Sequence, residues 1–133
     1  MKITKVDHVG IAVKNLDESL KFFQDVLGLE CVGTEVVEEQ KVKCAFMKLG
    51  ESKLELLEST SDDGPIAKFI ERNGEGVQQL ALGVDNVEEA IQHMKDKGIR
   101  MIDEKPRYGA GNAKIAFVHP KGAHGILLEL TER

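Results

Sequence analysis

The chain repeats itself, and this limits its possible folds more than any other feature. Residues 6–20, VDHVGIAVKNLDESL, align with residues 77–91, VQQLALGVDNVEEAI, at a shift of 71 positions. Val6 meets Val77, Val13 meets Val84, Asn15 meets Asn86 and Glu18 meets Glu89. At the same shift Ala45-Phe46 meets Ala116-Phe117. Near the end of each half the shift becomes 74: Leu54-Glu55-Leu56 meets Leu128-Glu129-Leu130, and Glu58 meets Glu132. An insertion around His119–Gly125 accounts for the change. Self-similarity of this kind marks a duplicated supersecondary unit.

Each half reads as βαβββ. Val9–Val13 and Leu80–Val84 are β-branched and aliphatic runs of strand length. Asn15 and Asn86 stand as N-caps, with Glu18 and Glu89 three residues on. That is capping-box spacing: Asn accepts from the first-turn N–H groups and Glu reaches back. Leu16, Leu20, Phe23 and Leu27 recur at helical spacing, as do Val87, Ile91 and Met94. Gly28 and Gly98 follow as C-caps. The first half then predicts strands near Glu30–Glu38, Lys41–Leu49 and Ser52–Leu57. The second predicts Arg100–Asp103, Lys114–His119 and Gly125–Leu130. In Ser59–Gly76, Pro65 opens a short helix through Ile66, Phe69 and Ile70 that Asn73-Gly74 ends. A βαβββ unit of about 55 residues buries too little core alone. The expectation is therefore one domain over 1–133, with module one at 5–58, a bridge at 59–76 and module two at 77–132.

Composition excludes several function classes. The 133 residues carry a net charge of −5, the wrong sign for broad nucleic-acid binding. No apolar run approaches the ~20 residues of a membrane span. The N-terminus MKITKVDHVG has no apolar signal-peptide region. Cys31 and Cys44 lack CxxC spacing and read as free thiols, pointing to a cytoplasmic protein. With five Phe, one Tyr and no Trp, the core must come from Val, Ile, Leu and Met.

The repeat also singles out polar residues at equivalent places. His8 corresponds to Gln79, and Glu55 to Glu129, each flanked by apolar neighbours. A carboxylate in such a run is poorly placed unless a charge or donor pairs with it. Each of the four, taken singly, also reads as an ordinary solvated or hydrogen-bonded strand residue. Taken together, two related modules would bring them to a common cleft. One imidazole nitrogen with several oxygen donors suits Zn, Co, Ni or Mn.

The motifs DHVGIAVKNLDESLKFF, KLELLE, GPIAKFIERNGEGV, DEKPRYGAGNAKIAFVHPK and GILLELTE resemble the vicinal oxygen chelate (glyoxalase/bleomycin-resistance) superfamily over nearly the whole chain. Within it the resemblance is to the methylmalonyl-CoA epimerases. It implies an α+β fold: two paired βαβββ modules forming a curved mixed sheet around a metal-site cleft, with helices outside. It implies an isomerase that moves a proton alpha to an acyl-CoA thioester, a divalent metal cofactor and a homodimer. Carried over by position, the metal ligands are His8, Gln79, Glu129 and Glu55, with Glu129 and Glu55 also the catalytic carboxylates. Arg107, Lys114, His119 and Lys121 are the expected substrate contacts, the basic side chains meeting CoA phosphates; a solvated surface is the alternative. The chain departs from the family in having Gln78-Gln79 where a His-His pair is usual. It has Cys44, after Lys43, where some members carry a glutamate base, leaving Glu39 as a weaker candidate. A glyoxalase I-type lactoylglutathione lyase and a non-catalytic binding protein of the same fold remain as alternatives.

Overall fold

The computed structural model describes all 133 residues. The strands are β1 (Ile3–Ala12), β2 (Cys31–Val37), β3 (Val42–Leu49), β4 (Ser52–Ser59), β5 (Gly76–Val84), β6 (Arg107–Tyr108), β7 (Lys114–Val118) and β8 (Leu128–Glu132). The helices are α1 (Leu16–Leu20), continued by a π-turn over Lys21–Val26, α2 (Pro65–Asn73) and α3 (Val87–Asp96). The fold class is α+β, as the repeat predicts. The chain divides into two compact units, one of Val9–Gln78 and one of Met1–His8 with Gln79–Arg133.

In the unit of Val9–Gln78 the strand order is β2-β3-β4-β1. Antiparallel β3 and β4 pair Cys44 with Leu57 and Ala45 with Leu56. Successive strand residues face opposite ways, so VKCAFMKL buries two faces. Ala45, Met47 and Leu56 pack with Val13 and Leu16 and, more loosely, Leu20 and Phe23. Val42, Cys44 and Leu57 pack with Ile66 of α2, against which Phe69 and Ile70 also lie. Cys44 is a buried core thiol, and no disulfide is formed. Pro65 opens α2 and Gly74 closes it at φ 78°, as the bridge sequence predicts.

In the other unit the order is β1-β5-β8-β7-β6, with β5–β8 parallel and the β8–β7 and β7–β6 pairs antiparallel. One sheet face supplies Ala116, Val118 and Leu130 to a core with Val87, Ala90 and Ile91 of α3. The opposite face carries Phe117 beside Glu129 and Ile115 beside Thr131. The apolar demands of α3 thus claim one set of alternate residues on β8 and release the other.

Three expectations need correction. Leu27 is not part of the α1 stripe; it is 51% exposed. The Leu27 N–H bonds back five residues to Phe22, so the widened π-turn rotates Leu27 off the buried face. Arg100–Asp103 is not a strand but makes one bridge, Met101 to Val118. The Asp103 carboxylate takes the Phe117 N–H at 2.8 Å, replacing a ladder carbonyl. The strand expected at Gly125–Leu130 begins only at Leu128, because His124 and Gly125 take positive φ in the preceding turn.

The helix starts are built alike. Asn15 accepts from the Glu18 N–H and Asn86 from the Glu89 N–H, each at 2.9 Å. The second arm of the capping is not the helix's own Glu: Glu18 bonds Lys21 instead. Glu58 at the end of β4 accepts from the Leu16 N–H at 2.6 Å, and Glu132 of β8 accepts from the Val87 N–H at 2.8 Å. These two glutamates are repeat partners. Their carboxylates satisfy otherwise orphaned helix donors and complement the helix dipole. Glu58→Ala and Glu132→Ala are each expected to cost about 1–2 kcal/mol of stability. Urea denaturation measures this; an unchanged midpoint in both variants excludes the capping role.

Candidate functional site

The site grows from the released face of β8. Glu129, Thr131 and Arg133 alternate with Leu128, Leu130 and Glu132. Parallel β5 sets Ala81 beside Glu129, so Gln79, two residues before Ala81, shares that face. The neighbouring β1 brings His8.

His8, Gln79 and Glu129 come together. The Gln79 amide nitrogen donates to Glu129 Oε1 at 3.2 Å and lies 3.2 Å from His8 Nε2. His8 Nε2 is 3.5 Å from Glu129 Oε2. His8 is 3% and Glu129 4% exposed, so water does little to screen them. Gln78 belongs to the other unit. Glu55 lies in that unit too, buried on β4 opposite Phe46. Glu39 is exposed in a short turn after β2.

Two partners of the trio were not picked out from sequence. Asp7 Oδ2 accepts from His8 Nδ1 at 2.8 Å. The Arg133 guanidinium donates to both Asp7 oxygens, Nε to Oδ1 at 3.0 Å and Nη2 to Oδ2 at 2.9 Å. Burial alone would raise the Asp7 pKa, but the hydrogen bonds from His8 and Arg133 win and hold it well below the usual carboxylate range. An ionised Asp7 can only accept, so Nδ1 carries a proton, and the Gln79 amide nitrogen facing Nε2 fits a lone pair there. Strand alternation argues against using Asp7, since adjacent residues nominally point apart. The adjacency of Asp and His in DHVG was the one available signal.

The basic residues are mostly engaged. Lys114 pairs with Glu88 at 2.9 Å. Arg107 lies 3.3 Å from Asp103 and over the Phe117 ring. His119 Nδ1 accepts from the Lys121 N–H at 3.0 Å, capping the turn Pro120–Gly122. Local desolvation and the charges of Arg100 and Lys121 lower its pKa. Lys121 itself is exposed.

The trio fits a divalent ion on one condition. Ligand atoms bound at about 2.1 Å stand about 3.0–3.4 Å apart, close to the separations seen here. No three His, Cys, Asp or Glu side chains converge, so the third donor has to be the Gln79 amide. The amide presents its nitrogen to His8 and Glu129. Turned end for end, it would set an oxygen beside the imidazole lone pair and the carboxylate. Three converging acceptors need something between them, and a divalent cation is one group that meets the need.

A carboxyl held low in the folded state stabilises the protein above its unfolded pKa of about 3.9 and loses that contribution as pH falls further. Asp7→Asn is therefore expected to be less stable than wild type at pH 7, with the gap narrowing between pH 4 and pH 3. Urea denaturation across that range checks this, and a gap independent of pH would exclude the ion pair as its source.

The chain matches the family model of the Glyoxalase/Bleomycin resistance protein/Dioxygenase superfamily over residues 7–117. It is 40% identical over 130 residues to the uncharacterized protein YqjC of Bacillus subtilis, covering 98% of this chain and 93% of that one. It is 30% identical over 132 residues to the ethylmalonyl-CoA/methylmalonyl-CoA epimerase of Cereibacter sphaeroides, covering 98% of each. A solved structure of a Streptomyces coelicolor methylmalonyl-CoA epimerase variant, in complex with 2-nitronate-propionyl-CoA, matches with a TM-score of 0.95 at 39% identity. That match covers 98% of this chain and 95% of the other. With fold, matched residues and full-length relatives in agreement, the chain belongs to the glyoxalase/bleomycin-resistance superfamily and, within it, to the methylmalonyl-CoA epimerases, a family of isomerases.

Proposed function

We propose that this chain is a divalent-metal-dependent epimerase of methylmalonyl-CoA. It would exchange the proton on the carbon alpha to the thioester through an enolate. The observation that carries this reading is the meeting of His8 Nε2, the Gln79 amide and the Glu129 carboxylate on one buried sheet face. The names of the relatives support the substrate class.

His8, Gln79 and Glu129 would hold the metal, which, when bound, supplies positive charge to stabilise the oxygen developing negative charge in the enolate. Asp7 fixes the imidazole so that Nε2 stays a donor of its lone pair. The remaining roles are a general base taking the alpha proton on one face and a general acid returning one on the other. Glu55 is proposed as one proton carrier or as the fourth ligand, on its repeat equivalence to Glu129 alone. Glu129 would give up proton transfer to the extent that it binds metal. Of the basic residues, Lys121 is the best suited to CoA phosphates, because Arg107, Lys114 and His119 are already engaged. The resemblance adds a homodimer, and the free thiols add a cytoplasmic location.

Proton NMR in D₂O tests the reading, with apo-protein, excess Co²⁺ and methylmalonyl-CoA. Deuterium is expected to enter the alpha position only with Co²⁺ present and to be lost in Glu129→Ala. Turnover of the glutathione–methylglyoxal hemithioacetal without alpha exchange would favour the lyase instead. No exchange and no metal uptake would favour a binding protein. Gln79→His is expected to tighten Co²⁺ binding in calorimetry, since imidazole is the stronger donor; unchanged affinity would remove Gln79 from the ligand set.

A further inference from the structure

The motif GAGN lies apart from the trio, and Arg133, the residue after β8, reaches it through Asp7. Gly111 lies in the turn Ala110–Asn112 at φ 68°. A Cβ built there would stand 3.1 Å from Arg133 Nη1. The close approach that glycine permits at this turn is therefore made by the Arg133 guanidinium. That guanidinium grips Asp7 as a fork, with Nε at 3.0 Å from Oδ1 and Nη2 at 2.9 Å from Oδ2. The same Oδ2 lies 2.8 Å from His8 Nδ1.

A carboxylate held only by one imidazole can turn about its own axis and carry the ring with it. A bidentate guanidinium fixes the plane of the carboxylate as well as its charge. Arg133 reaches Asp7 from just past the end of the strand that carries Glu129, and Asp7 is 4% exposed. The segment that supplies one donor to the site thus also orients another.

We propose that Arg133 is a positioning residue: acting through Asp7, it sets the ring orientation and the Nδ1–H tautomer of His8, and Gly111 leaves the room its guanidinium needs. This rests on the reading of His8 as a metal donor, because the ring's orientation matters to function only there.

The test is ¹⁵N NMR of histidine-labelled apo-protein, with Co²⁺ affinity measured separately by calorimetry. In wild type, one His8 nitrogen is expected at the protonated position and the other at the unprotonated one. In Arg133→Ala the two shifts are expected to move toward each other, and Co²⁺ affinity to fall about ten- to a hundred-fold. Arg133→Lys, which keeps the charge without the fork, is expected to recover part of both changes. Unchanged nitrogen shifts in Arg133→Ala overturn the proposal, whatever happens to the melting temperature. So do shifts that move with no loss of Co²⁺ affinity. Should the Ala variant fail to fold, Arg133→Gln carries the same readouts. A wild type that binds no Co²⁺ would overturn the functional reading instead, and the nitrogen shifts would still decide the role of Arg133.

Discussion

A buried carboxylate on a sheet face persists only when donors or cations surround it, because its desolvation is otherwise too costly. Asp7 and Glu129 impose that condition here. Asp7 meets it with His8 and the Arg133 fork, and Glu129 accepts from the Gln79 amide. The imidazole takes its tautomer from Asp7, and the amide takes its orientation from the two acceptors that flank it. The arrangement of the site follows from satisfying these two charges.

The fold makes such a face available through simple alternation. On β8 the residues facing α3 are apolar, and Leu130 is fully buried there. The alternate set is then free to be polar: it carries Glu129 and Thr131, and Arg133 follows just past the strand end. Glu132 stands among the α3-side residues and is absorbed by the Val87 N–H at the helix start. Its repeat partner Glu58 does the same for Leu16. The repeat thus has a capping carboxylate in both units, while its other equivalent pair differs, His8 against Gln79.

The divergence has a chemical consequence. A second imidazole at position 79 would offer a lone pair of its own. The amide can offer either donor hydrogens or an acceptor oxygen. Without a cation its hydrogens bind His8 and Glu129. The site is thus internally satisfied as it stands, and recruiting the amide oxygen to a metal requires breaking two hydrogen bonds. On the proposed reading, a metal would be held more weakly here than by two histidines.

The repeat and its punctuation made much of this legible in sequence. The Asn caps, the Gly28 and Gly98 helix ends, the Pro65 helix and the pairing of His8 with Gln79 all rest on local chemistry or on self-similarity, which the chain carries in one dimension. What it could not carry was competition between backbone and side chains. Asp103 displaces a ladder carbonyl and unmakes a strand that Arg100–Asp103 otherwise spells. The π-turn rotates Leu27 away from a stripe with the right spacing. Asp7 and Arg133 are 126 positions apart, and alternation places Asp7 on the opposite side of its strand from His8. Sequence by itself determined the duplicated α+β architecture and the donor types, because periodicity and capping act over a few residues. Only the tertiary structure decided which carboxylate orients which ring, because a buried charge selects its partners by distance in space and not by separation along the chain.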